Sequence, residues 1–126
     1  MASYIRLDPA DTVFSQWIRL RDMKCMRCYS QVELNGKGLP VTHQNSHYFG
    51  RGKESTRFEP NNCDTLCYGC HIIWGSRDRE AYREFKIKQL GQDGYDKLLL
   101  QSNMYCKKNR DMEKIYWRQK LRDTMN

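Results

Sequence analysis

Apolar positions near the start of the chain recur with helical spacing. Val13, Trp17 and Leu20 fall at i, i+4 and i+7, and Phe14 and Ile18 widen the stripe. Asp8-Pro9 ahead of them has the form of an N-cap followed by proline at the first helical position. The pattern predicts a core-packing helix within residues 1–24. Arg19 and Arg21 lie off its stripe, placed for solvent or for phosphate. The periodicity then lapses. Tyr29 to Leu39 contains the turn-forming run Asn35-Gly36-Lys37-Gly38 and reads as a loop or ragged hairpin.

Val41 to Phe49 is predicted as a strand, Gly50 to Ser55 as a loop, and Thr56-Arg57-Phe58 as a short second strand. Pro60 has no N–H and suits a strand end or edge. A helix is expected from Cys70 or His71, interrupted at Gly75-Ser76. It resumes from Arg77 to Leu90 with Tyr82 and Phe85 inward and Gly91 as a stop. Asp93 to Asn103, carrying Leu98-Leu99-Leu100, predicts a further short helix. Residues 104–126 hold seven Lys/Arg against three acids, with Met112, Ile115 and Tyr116 at i, i+3, i+4. They read as a basic helix that lies along DNA or docks on the body or on another subunit. The fold class expected is α+β, a single domain of 126 residues in three parts. These are an N-terminal helix (1–24), a core (25–75) and a basic helical extension (76–126).

Composition sharpens this picture. Hydrophobic residues make up 39% of the chain and charged residues 29%, so the core is small and a metal staple is expected. No apolar run approaches the roughly 18 residues of a membrane span. Met1 to Arg6 lacks the long apolar region of a signal peptide. An intracellular protein, with no membrane partner, is expected. The net charge of +7 points to a polyanion, most simply nucleic acid.

Six cysteines in a reducing compartment do not suggest disulfides. Four of them form two Cys-x-x-Cys pairs, Cys25/Cys28 and Cys67/Cys70. Two sulfurs from one tight turn face the same ion, and two such turns supply the four thiolates of structural zinc. Gly69 is free to take the positive φ that such a knuckle often needs. A closed thiolate shell leaves no open position for catalysis. The zinc clamps the base of an excursion that carries His47. Cys63 and Cys106 read as small buried apolar residues.

Phosphodiester hydrolysis needs an activated water, a Lewis acid at the phosphate and protonation of the leaving oxygen. An unliganded, oriented histidine takes the water's proton near neutral pH. An asparagine orients it without competing for the proton, and a second histidine binds the divalent metal. His47, Asn62 and His71 are the candidates. Each also has a structural alternative: a buried histidine, a turn residue and a helix cap. For His43 the structural alternative is favoured.

The order Ser46-His47, Asn62, then Leu66-Cys67-x-x-Cys70-His71 resembles the HNH (His-Me finger) endonucleases. Phe14 to Asp22, His47-Tyr48-x-x-Arg51, Arg57-Phe58-Glu59-x-x-Asn62 and Tyr82-Arg83 are similar to the NinG/Rap group of phage recombination nucleases. The resemblance covers roughly residues 11–100. It implies a ββα-metal core, with His47 as general base, Asn62 as its orienter and His71 as ligand to catalytic Mg²⁺ or Mn²⁺. It implies DNA hydrolysis in phage or prophage recombination, in the cytoplasm of a bacterial host. Arg51, Lys53 and Arg57 are then candidate phosphate contacts. A single site implies nicking by a monomer. The chain departs from the family at Ser46, where an acid or histidine ligand commonly stands. Asp64 is the first candidate to replace it, ahead of Asn45 and His43. The alternative reading is a zinc-ribbon nucleic-acid-binding module without catalysis. A protein-interaction zinc module is the third.

Overall fold

A computed structural model describes residues 7–126. The expectations that fall on Met1 to Arg6, the absence of a signal peptide among them, lie outside the described residues. Six named elements follow in order: α1 (Pro9–Asp22), β1 (Gln44–His47), β2 (Cys63–Leu66), α2 (Tyr68–Ile72), α3 (Arg79–Ser102) and α4 (Arg110–Met125). The class is α+β. Among the described residues, no helix is long and apolar enough to cross a membrane.

Helix α1 begins where its cap dictates. The Asp8 carboxylate accepts from the Ala10 N–H at 2.9 Å, and Asp11 reaches back to the Asp8 N–H at 2.8 Å. This reciprocal box satisfies two donors that have no partner inside the helix. Phe14 and Ile18 are fully buried. The helix ends at Met23, which adopts the left-handed region with φ 58°.

Strands β1 and β2 pair antiparallel, with Gln44 opposite Leu66, Ser46 opposite Asp64 and His47 opposite Cys63. The period of two sends alternate side chains to opposite faces. On one face, Thr65 bonds the Ile18 carbonyl of α1 at 3.3 Å. On the other, Ser46 and Asp64 lie 3.1 and 3.0 Å from the Tyr82 hydroxyl of α3. The sheet is thus sandwiched between the first helix and the third.

Several boundaries differ from those expected. The first strand is shorter than Val41 to Phe49. No second strand forms at Thr56–Phe58: Glu54–Thr56 is a 3₁₀ turn, and the pairing strand is Cys63–Leu66. Arg57 and Phe58 are buried in succession and do not alternate. The Asn62 amide, bonded to Thr56 O, holds this segment as a loop. Helix α2 starts at Tyr68, so Gly69 is helical and the left-handed residue of the knuckles is Tyr29, φ 66°. Gly75-Ser76 sits in a π-turn, Ile73–Arg77. Gly91 does break the helical backbone: inside α3 it takes φ 76°, ψ 162°, a conformation only glycine adopts without strain.

The basic helix α4 docks on the body. Trp117 packs on Phe14 and Trp17, with ring centroids 4.6 and 5.0 Å apart. The expected stripe of Met112, Ile115 and Tyr116 is exposed, and Trp117 and Leu121 form the buried face. Trp117, one residue past that stripe, has the larger aromatic surface to bury, and it turns the opposite side of the helix inward. Of the two cysteines expected to be buried, Cys63 is and Cys106 is exposed.

Candidate metal centre and histidine pocket

The two Cys-x-x-Cys turns meet. The sulfurs of Cys25, Cys28, Cys67 and Cys70 all lie within 4.8 Å of one another. Cys28 and Cys67 Sγ are 3.7 Å apart, close to the roughly 3.8 Å edge of a tetrahedron with 2.3 Å Zn–S bonds. The four cysteines are positioned to hold a metal ion, consistent with structural zinc. The surroundings act on Cys28 and Cys70 in opposite directions. Hydrogen bonds from Ser30 pull Cys28 down to about 6, and the Arg27 guanidinium lies 3.4 Å from Cys70 Sγ. Burial pushes Cys70 up to about 12, an opposition that a coordinated cation overrides by deprotonating the thiol.

Cys70 and His71 are neighbours on α2, so the clamp fixes the helix that carries this histidine. The His71 N–H bonds the Cys67 carbonyl at 2.8 Å. Its ring Nδ1 bonds the Gln44 side-chain oxygen. An amide oxygen only accepts, so Nδ1 carries the proton. Nε2 has no protein partner among the described residues. Burial lowers the pKa of His71, favouring the neutral ring that ligates metals.

His47, at the end of β1, shares a pocket with His71. The pocket is about 630 Å³ and is bordered by Asp11, Ser15 and Arg19 of α1, by residues 43–45, and by Gly50 and Arg51. His47 Nε2 lies 2.9 Å from the Arg57 carbonyl oxygen. The carbonyl only accepts, so this nitrogen holds the proton and Nδ1 is left as the basic atom. Burial pulls His47 down to about 4, so the ring is neutral at pH 7. The arrangement offers one neutral imidazole to accept a proton, a second to hold a divalent cation, and guanidinium charge beside both.

Not every expected site residue joins this pocket. Asn62 does not touch His47. Its Oδ1 accepts from Phe49 N–H at 2.9 Å, and its Nδ2 donates to Phe49 O at 2.9 Å and Thr56 O at 3.1 Å. It braces the loop next to Arg57, and the Arg57 carbonyl orients the ring. Asp64 does not reach the pocket. It is fully buried between Lys86 Nζ at 3.1 Å, the Tyr82 hydroxyl and Gln89 Nε2 at 3.0 Å, because its strand position faces α3. Ser46 faces the same way.

Arg57 is not a surface contact. It is 5% exposed, with Nε 2.9 Å from Asp11 Oδ1 and its guanidinium 3.8 Å from Glu54. Arg21 is likewise engaged, with Asp22 and the carbonyls of Pro60 and Cys63 at 3.0 and 2.8 Å. Arg51 is half-buried at the pocket and Lys53 is exposed on the adjoining loop. Arg19 also borders the pocket while bonding the Thr42 carbonyl at 3.2 Å. His43 bonds Thr42 Oγ1 at 2.8 Å and Ser30 Oγ at 3.0 Å, which is a structural role.

Gln44 and the Arg57 carbonyl are the contributors the sequence did not disclose. A backbone carbonyl carries no side-chain signal, and a glutamine before a strand is unremarked unless its partner is known. No protein-family model, curated protein or solved structure matches the chain.

Proposed function

We propose that the chain is a divalent-metal-dependent DNA endonuclease of the HNH type, its β1, β2 and α2 forming a zinc-stapled ββα-metal core. The observation that carries this reading is the sharing of one pocket by His47 and His71, each with one ring nitrogen engaged and the other without a protein partner among the described residues. Water at the pocket gives its proton to His47 Nδ1 as its oxygen attacks phosphorus. The imidazolium that forms is stabilised through Nε2–H by the Arg57 carbonyl. Arg51, with Lys53 outside the pocket, binds the phosphate oxygens. The P–O bond to the leaving oxygen breaks as the new one forms, and that oxygen takes a proton from solvent water.

His71 Nε2 fits a divalent cation, because its ring is oriented from Nδ1 and kept neutral. Bound there, Mg²⁺ or Mn²⁺ would supply Lewis-acid charge to the phosphate. The protein's share of the coordination is small, since Ser46 and Asp64 face the core and Asp11 is held by Arg57. The net charge of +7 suits a DNA substrate. Resemblance to the NinG/Rap group favours phage or prophage recombination as the setting, a bacterial cytoplasm as the location, and nicking by a monomer.

The test is incubation of supercoiled plasmid with zinc-loaded protein and added Mn²⁺ or Mg²⁺. Nicking that depends on the added cation and is lost in His71→Ala is expected. Ser46, turned into the core, is the observation that favours the second reading, a zinc-ribbon nucleic-acid-binding module without catalysis. Salt-sensitive DNA binding with no cleavage in either cation would establish it.

A further inference from the structure

The β1–β2 register sets Gln44 opposite Leu66, directly ahead of the Cys67–His71 turn. That pairing delivers the Gln44 side chain to one edge of the His71 ring, where its amide oxygen accepts from Nδ1. Gly75 in the π-turn borders another edge: a Cβ there would stand 3.9 Å from His71 Cδ2. The start of the strand is held in place from the zinc side. His43, the residue before Gln44, takes the left-handed conformation, φ 69°. A non-glycine residue adopts it at a cost, and here the His43 ring is tied at both nitrogens. Nδ1 meets Thr42 Oγ1 at 2.8 Å, and Nε2 meets Ser30 Oγ at 3.0 Å. Ser30 Oγ in turn lies 3.3 Å from Cys28 Sγ. A continuous set of contacts thus runs from the thiolate cluster through Ser30 and His43 to the backbone that positions Gln44.

We infer that Gln44 is the positioning residue for the cation site: its amide oxygen holds His71 in the Nδ1–H tautomer and aims Nε2 at a divalent ion. This rests on the function proposed for His71. A ligating imidazole almost always donates its other N–H, and loss of the partner typically lowers metal affinity about 10–100-fold. A glutamate at the same place accepts the same hydrogen bond and adds negative charge. A methionine has a similar length and no comparable acceptor.

The experiment is Mn²⁺ binding by zinc-loaded protein, followed by the EPR signal of free Mn²⁺, for wild type, Gln44→Met, Gln44→Glu and His71→Ala. Zinc content is measured alongside. Gln44→Met is expected to keep its zinc and bind Mn²⁺ about 10–100-fold more weakly, with nicking recovered as Mn²⁺ is raised. Gln44→Glu is expected to bind at least as tightly as wild type. His71→Ala is expected to lose the site. If Gln44→Met binds Mn²⁺ as wild type does while His71→Ala does not, the inference is overturned and the nuclease reading stands. If His71→Ala binds as wild type does, or wild type does not bind, both are overturned.

Discussion

The ring nitrogen Nε2 of His47 and the carbonyl oxygen of Arg57 lie 2.9 Å apart. The contact leaves Nδ1 as the basic atom, and burial holds the ring neutral with a pKa near 4. A group whose folded pKa lies below its unfolded value of about 6.5 is protonated first in the unfolded chain. The unfolded state therefore binds the extra proton between pH 6.5 and 4, and stability falls as pH drops through that window. His47→Gln removes this dependence. The stability difference between wild type and variant, from urea melts at pH 7 and pH 4, is expected to change against wild type by roughly 3 kcal/mol.

Arg57 and Arg51 separate structure from binding. Arg57 is buried against Asp11, and breaking a buried pair by removing one partner costs about 3–5 kcal/mol. Arg57→Ala is therefore expected to lower the urea midpoint sharply. Arg51→Ala should leave the midpoint near wild type, weaken DNA binding and reduce the slope of log affinity against log salt by about one. Gel shifts across a salt series, beside the melts, check both.

Asn62→Ala removes the amide that satisfies Phe49 N–H and the carbonyls of Phe49 and Thr56. An orphaned buried group costs about 1–3 kcal/mol. The variant should lose stability by at least that amount, and nicking should fall with it through displacement of the Arg57 carbonyl. An unchanged urea midpoint would show that the loop is braced elsewhere.

The four-cysteine site joins residues 25–28 to residues 67–70, and so closes a loop that contains the whole of β1 and β2. Zinc binding of this kind is coupled to folding. Chelation with a strong zinc ligand, or Cys67→Ser, is expected to abolish the cooperative melt, followed by near-UV circular dichroism, together with nicking.

Much of this was legible in the residues. The cysteine spacing led directly to the clamp, the Asp8-Pro9 cap and the Val13/Trp17/Leu20 stripe to α1, though its flanking Phe14 and Ile18 are the fully buried pair and the other three are half-buried, and Gly91 led to the break in α3. What was not legible depends on long-range partners. Thr56-Arg57-Phe58 has strand-forming residues, but Arg57 is drawn inward by Asp11, 46 positions away. Asp64 looks like an available carboxylate until Lys86 is seen to neutralise it. Met112, Ile115 and Tyr116 have helical spacing, yet the rings of Phe14 and Trp17 in α1 receive Trp117 and so decide which face of α4 docks. In each case a partner remote in sequence outweighed the local pattern.

Whether His47 acts as the base is decided by the nicking rate of His47→Ala. Rates are measured at saturating Mn²⁺ on protein with wild-type zinc content and DNA affinity. Loss of a positioned general base predicts a fall of about 10²–10⁴-fold, with DNA binding retained. Nicking by His47→Ala at the wild-type rate would show that His47 is not the base.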